Sequence, residues 1–169
     1  MLKEKIKKNK QKTEGFTLIE LMIIIAVIGI MTTVGFVSLE SGQNQAKLKA
    51  TQAEIVAMTK LAQSYALQGK KDNNDVVPSY YGVKFSVDGS GYVFCSSSDS
   101  MDANCSNSIE THQFDGNIAL NMGQGALVWF DVPFGNCQLS SVGNLQLQLV
   151  LDSAERGIVI SPGGSITEN

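Results

Sequence analysis

Polar and apolar positions divide this chain into four stretches. Residues 1–14 (MLKEKIKKNKQKTE) are polar and offer no apolar face long enough to pack. From Phe16 to Leu39 the chain is almost wholly apolar, and Glu20 is its one charge before Glu40. Beyond Glu40, Leu48, Ile55, Met58, Ala62 and Tyr65 recur at helical intervals, with Lys47, Lys49, Gln52, Lys60 and Gln63 around the other faces. From Val76 the pattern turns to short runs of strand type separated by turn residues.

These patterns predict one helix from about 16 to 68. Its 24-residue apolar half spans roughly 36 Å at about 1.5 Å per residue. That is enough for a bilayer core of roughly 30 Å, so 16–39 is expected to be transmembrane. Gly29, Gly35 and Gly42 are points where such a helix loosens or admits a close neighbour. The amphipathic continuation, 40–69, is expected to lie against a domain and to stop at Gly69, before the polar linker Lys70–Asp75.

In 70–169, Tyr81–Val87 and Tyr92–Cys95 flank Asp88-Gly89-Ser90-Gly91, a hairpin signal. Further strands are expected at Ile109–Phe114, Ile118–Leu120, Gly125–Val132, Leu145–Leu151, Gly157–Ile160 and Ser165–Thr167, with a turn over Asp152–Arg156. The run Ala126-Leu127-Val128-Trp129-Phe130 reads as buried on both faces. The expected fold is α+β: a long N-terminal helix whose second half packs on a C-terminal antiparallel β-sheet of about seven short strands.

Charge adds an orientation. Six lysines stand in the first fourteen residues, and by the positive-inside rule that end stays cytoplasmic. The domain beyond the helix is then extracytoplasmic. Residues 16–169 hold seven basic and fourteen acidic groups, which argues against binding to phosphate backbones. No small-residue cleavage site follows the apolar run, and the abrupt junction is at Gly15, before it. An uncleaved signal anchor is the plainer alternative.

In an oxidising compartment Cys95 and Cys105, which bracket a polar loop, are expected to form a disulfide and leave Cys137 free. The alternative is three unpaired thiols. No cysteine pair has zinc or redox spacing, and a single histidine does not complete a metal set. His112 stands with Glu110 and Thr111 but without a nucleophile elbow or phosphate loop, and is expected to face solvent. Asp99, Asp102 and Asn104 do not complete a calcium loop. No enzyme, metal or cofactor is expected.

Glu20 needs a reason, because a carboxylate within a bilayer helix costs roughly 2.5–3.5 kcal/mol on insertion scales. It is either paired in the membrane or a helix-start acid favoured by the helix dipole.

The lysine-rich leader, Gly15, Phe16-Thr17-Leu18-Ile19-Glu20 and the apolar helix together resemble the type IV prepilin signature, shared by type IV pilins and type II secretion pseudopilins. More loosely, Tyr81–Phe85, Tyr92-Val93-Phe94 and Arg156–Gly164 resemble the minor-pilin GspH/FimT group. The resemblance implies a leader, 1–15, removed by a prepilin peptidase between Gly15 and Phe16, and methylation of the new Phe16 amine. It also implies that Glu20 pairs with the Phe16 amino terminus of a neighbouring subunit. Other pilin or pseudopilin subunits, the peptidase/methyltransferase, an inner-membrane assembly platform and the lipid bilayer are the implied partners. The place is the inner membrane, crossed once. Many major pilins carry a proline near the position of Val37, and its absence here fits a low-copy subunit. A filament-borne binding module, such as a DNA-uptake receptor or adhesin, is the alternative, although no basic residue follows Arg156 to support DNA binding.

Overall fold

Thr17 and Gly69 set the limits of the helix. A computed structural model describes residues 15–99, 105 and 107–169, and the side chains at 34–38 lie outside that description. Helix α1 runs from Leu18 to Gln68. At its end Gly69 takes φ +57°, and the amides of Gly69 and Lys70 donate to the carbonyls of Ala66 and Tyr65 at 3.1 and 3.2 Å. This double closure satisfies carbonyls the last turn leaves open, and it favours glycine because the left-handed conformation penalises a Cβ.

The chain divides into two units, Met1–Glu40 and Ser41–Asn169. In the first, every large apolar side chain from Phe16 to Met31 is exposed. Among the described residues no helix is long and apolar enough to cross a membrane. The span expected over 16–39 includes 34–38, so a transmembrane half is not a feature the structure displays.

The second unit holds the core and, among the described residues, nine strands. These are β1 (Tyr80–Phe85), β2 (Gly91–Ser97), β3 (Asn107–Gln113), β4 (Ala119–Met122), β5 (Leu127–Asp131), β6 (Cys137–Leu139), β7 (Leu145–Leu151), β8 (Ala154–Ile160) and β9 (Ile166–Glu168). They form two antiparallel sheets, β3-β2-β1-β5-β6 and β4-β7-β8-β9, where one sheet was expected. Strand β6 is too short to show an alternation. Strand β8 begins at Ala154, three residues before its expected start. Leu151 pairs with Ala154 across a two-residue turn in which Asp152 takes φ +54°, a conformation aspartate tolerates better than most residues.

The core lies between one face of α1 and the inner faces of the sheets. Leu48, Ile55, Ala62 and Ala66 meet Tyr81, Val83, Phe85, Leu149, Ile158 and Ile160, all fully buried. Met58 and Tyr65 pack at its margin. Gln52 departs from expectation. Read as part of the polar flank, it is only 1% exposed, and its amide donates to the Gly157 carbonyl at 2.7 Å. A buried amide is tolerated when paired in this way. The linker after α1 is tied down by Asp72, which accepts from the amides of Asn74 and Val76 and from the side chains of Ser96 and Asn107. Burial opposes its ionisation, but these hydrogen bonds prevail and hold its carboxyl below the usual range.

Two buried tyrosines join the helix end and the helix face to the sheet. Tyr81 donates to the Lys70 carbonyl at 2.8 Å and Tyr92 to the Glu54 carboxylate at 2.7 Å. Burial, with the nearby charge of Asp72, pushes the Tyr81 phenol up to about 12. Burial and the Glu54 hydrogen bond push Tyr92 up as well. A phenol with a raised folded pKa stabilises the fold fully below its ordinary value, about 10, and that contribution is lost as pH rises through the folded value. The stability of this unit is therefore expected to fall as pH rises above about 10, and Tyr81→Phe should make that fall shallower. Denaturant unfolding that gives the same stability at about pH 9 and about pH 11, or a fall just as steep in Tyr81→Phe, would contradict this account.

Candidate functional site

The segment at the head of α1 is built by a capping arrangement. Residues 15–17 are non-helical and exposed. The Thr17 hydroxyl oxygen accepts the Glu20 amide at 3.3 Å, and the Thr17 carbonyl accepts the Leu21 amide at 3.2 Å as the first helical bond. Thr17-Leu18-Ile19-Glu20 thus has the threonine-to-glutamate spacing of a capping box. Capping satisfies a donor that the first turn would leave open, worth about 1 kcal/mol. The spacing is legible in the sequence, but the cost of a carboxylate in a bilayer helix singles out Glu20 and leaves Thr17 without a role.

Among the described residues nothing lies within 4 Å of where a Cβ on Gly15 would stand. Phe16 is 77% exposed. Glu20 lies in the first turn, exposed, where a negative charge suits the helix dipole. Among the described residues its carboxylate has no ion-pair partner. The structure therefore brings Gly15, Phe16, Thr17 and Glu20 together at one helix start, and among the described residues it gives the carboxylate no ion-pair partner.

One helical turn after Gly29, Thr32 donates its hydroxyl to the Ile28 carbonyl at 2.7 Å and Thr33 donates to that of Ile30 at 2.8 Å. Both also approach the Gly29 carbonyl, at 3.1 and 3.2 Å. Such back-bonding competes with the helical ladder and often bends helices.

On the β unit, Cys95 and Cys105 are joined in a disulfide with Cα atoms 5.5 Å apart, and Cys137 is a free, half-buried thiol. Burial pushes Cys137 up to about 11, away from thiolate reactivity. The disulfide, Leu127 and Trp129 form a second small core on the outer face of β1, β2 and β5, edged by Tyr80 and Val93. Sheet residues are thus buried on both faces along β5. The indole nitrogen of Trp129 is buried with no hydrogen-bond partner among the described residues.

His112 is not the solvent-facing residue expected. Its ring stacks on Tyr92 at 5.0 Å, and its side chain is 28% exposed. Glu54 and Glu110 approach its two nitrogens at 3.4 and 3.0 Å. The Glu110 approach is close enough for an ion pair but lacks hydrogen-bond alignment, so Nε2 is without a hydrogen bond. Among the described residues no group of three or more His, Cys, Asp or Glu side chains is placed to hold a metal. Asp102, Asn104 and the leader residues 1–14 lie outside the described residues.

The family described as the prokaryotic N-terminal methylation motif matches residues 10–36. Two fimbrial proteins of Pseudomonas aeruginosa are each 32% identical over 84 residues, which is 46% of this chain and 54% of theirs. The chain thus spans about half the length of the curated relatives it matches. No solved structure matches. The motif falls across the capped helix start, and that helix leads into an antiparallel β domain. The chain is therefore a type IV pilin-like protein.

Proposed function

We propose that this chain is a structural subunit of a type IV pilus or a type II secretion pseudopilus, in a minor, low-copy position. The observation that carries the proposal is the first half of α1, whose large apolar side chains from Phe16 to Met31 are all exposed around a single carboxylate. Apolar surface of that extent requires a covering. A bilayer before assembly and a bundle of like helices afterwards both supply one. In this reading the leader 1–15 is cut off by a prepilin peptidase after Gly15, and the Phe16 amine is methylated. The chain is held in the inner membrane with 16–39 spanning it and the β unit 70–169 outside. An assembly platform then draws it into the filament.

Glu20 is the assembly contact. Its carboxylate, without an ion-pair partner among the described residues, meets the Phe16 amino group of a neighbouring subunit once the leader is gone. Opposite charges tolerate a dry bundle only together, and losing one partner of a buried pair costs about 3–5 kcal/mol. The minor position is favoured by the lack of a proline near Val37.

The test is to shear cells and examine both fractions by N-terminal mass spectrometry. Chain beginning at methylated Phe16 is expected in sheared filaments for a pilus, or in the membrane fraction alone for a periplasmic pseudopilus. Glu20→Ala is expected to reduce filament incorporation by about tenfold or more while membrane insertion persists. Chain that still begins at Met1 in both fractions would sink the processing assignment, and normal incorporation of Glu20→Ala would sink the pairing.

A further inference from the structure

We infer that Thr17 is a positioning residue for maturation: by capping α1 it holds the Gly15–Phe16 bond in non-helical chain, in a form a peptidase can engage. The inference rests on the reading of Gly15–Phe16 as the cleavage site. Hydrolysis there breaks the bond between the Gly15 carbonyl carbon and the Phe16 nitrogen. Water supplies the hydroxyl that makes the Gly15 carboxylate and the proton that completes the Phe16 amine.

A bond inside a helix is a poor substrate, because its amide and carbonyl are engaged in the helical ladder and its carbonyl carbon is shielded by the surrounding turns. This chain has reason to stay helical across the junction. Upstream, Lys10, Gln11, Lys12 and Glu14 are residue types of good helix propensity, and downstream lies a helix of 51 residues. Extending an existing helix by one residue is far easier than starting a new one. Gly15 opposes the extension, though by only about 1 kcal/mol.

The structure shows what completes the stop. Thr17 spends its hydroxyl oxygen on the Glu20 amide at 3.3 Å, and residues 15–17 lie outside the helix. A capping residue takes non-helical backbone angles, so the cap and the continuation of the helix through Phe16 exclude one another. Among the described residues the bond at Gly15–Phe16 is also open, since none of them lies within 4 Å of a Cβ position at Gly15 and Phe16 is largely exposed. Cap, stop and access coincide at one peptide bond.

The test follows cleavage of the full-length precursor in membranes that contain its prepilin peptidase, in a pulse–chase with N-terminal mass spectrometry. Three chains are compared: wild type, Thr17→Val and Thr17→Ser. Valine keeps the shape but loses the acceptor oxygen, and serine restores it. Thr17→Val is expected to mature about fivefold more slowly, the population change that loss of one cap commands. Thr17→Ser should stay within about twofold of wild type on the same grounds, and membrane insertion should be equal in all three. Hydrogen exchange at the Leu18 and Ile19 amides supplies a readout independent of the enzyme: it should slow with valine alone, because a helix continued through Phe16 gives those amides carbonyl partners four residues upstream. A Thr17→Val chain cut at the wild-type rate, or a Thr17→Ser chain as slow as Thr17→Val, would overturn the inference. Failure of the wild-type chain itself to be cut after Gly15 would overturn the cleavage reading beneath it, and the wild-type arm separates the two.

Discussion

Gly82→Ala is expected to destabilise the β unit by about 3 kcal/mol, even though alanine is ordinarily the better residue inside a strand. The reason is one contact. Gly82 in β1 pairs with Trp129 in β5, and a Cβ at Gly82 would stand 2.2 Å from the indole Cε3, with two further ring atoms within 2.7 Å. The ring lies across the glycine, and a methyl group there has to push it away. Trp129 has little room to move, being 1% exposed and enclosed by Leu127 and the Cys95–Cys105 disulfide. Overpacking of this kind costs about 1–3 kcal/mol, and loss of contacts by a displaced tryptophan adds to it. On a unit of this size, about 3 kcal/mol corresponds to a fall in Tm of roughly 10 °C. The check is thermal unfolding of the full chain in detergent, with tryptophan emission as a second readout. An unchanged or raised midpoint with native emission would show that Gly82 is not there to seat the indole.

Loss of the disulfide should have an effect of similar size, but confined in place. Cys95 and Cys105 are ten residues apart, and closing so short a loop is worth about 2–3 kcal/mol through the unfolded chain. The bond is also part of the cover over Trp129. Because Trp129 is the sole tryptophan, its fluorescence reports on that small core alone. After reduction, or in Cys95→Ser with Cys105→Ser, emission is expected to shift to the red and to become accessible to a soluble quencher. The helix-facing core, held by Leu48, Ile55, Tyr81, Val83 and their neighbours, should persist, so far-ultraviolet circular dichroism should change little at ambient temperature. Reduction confirmed by thiol counting, with emission and quenching unaltered, would mean the indole is held by the sheet and the disulfide is incidental to it.

These two predictions meet at a place no local pattern discloses. The run around Leu127–Phe130 signals burial on both faces, and the structure buries all four residues. The pattern does not say what covers each face. That depends on β1 pairing with β5 in a register that sets Gly82 opposite Trp129, and on a disulfide reaching the same side. Gln52 teaches the same lesson from the helix. Its position by period is polar flank, and only the carbonyl of Gly157, brought within 2.7 Å, makes burial acceptable.

Local chemistry was more readily legible. The long helix follows from an apolar run continued as an amphipathic stripe, with Gly69 as its stop. The start at Leu18 follows from Thr17 and Glu20 at capping-box spacing, although the role of Thr17 emerged only when its hydroxyl was seen on the Glu20 amide. The β1–β2 hairpin follows from Asp88-Gly89-Ser90, where Asp88 accepts from both the amide and the hydroxyl of Ser90. Strand β6 did not, since three residues are too few to show a period.

The sequence by itself determined the kinds of element, most of their limits and the motif that makes the chain type IV pilin-like. Caps, turns and side-chain periods are interactions among residues within about four positions of one another, so they can be read along the chain. The tertiary structure decided that the strands divide between two sheets, that sheet residues are covered on both faces, and that His112 lies between two carboxylates. Those outcomes depend on which apolar surfaces exclude water together, and the surfaces come from residues dozens of positions apart.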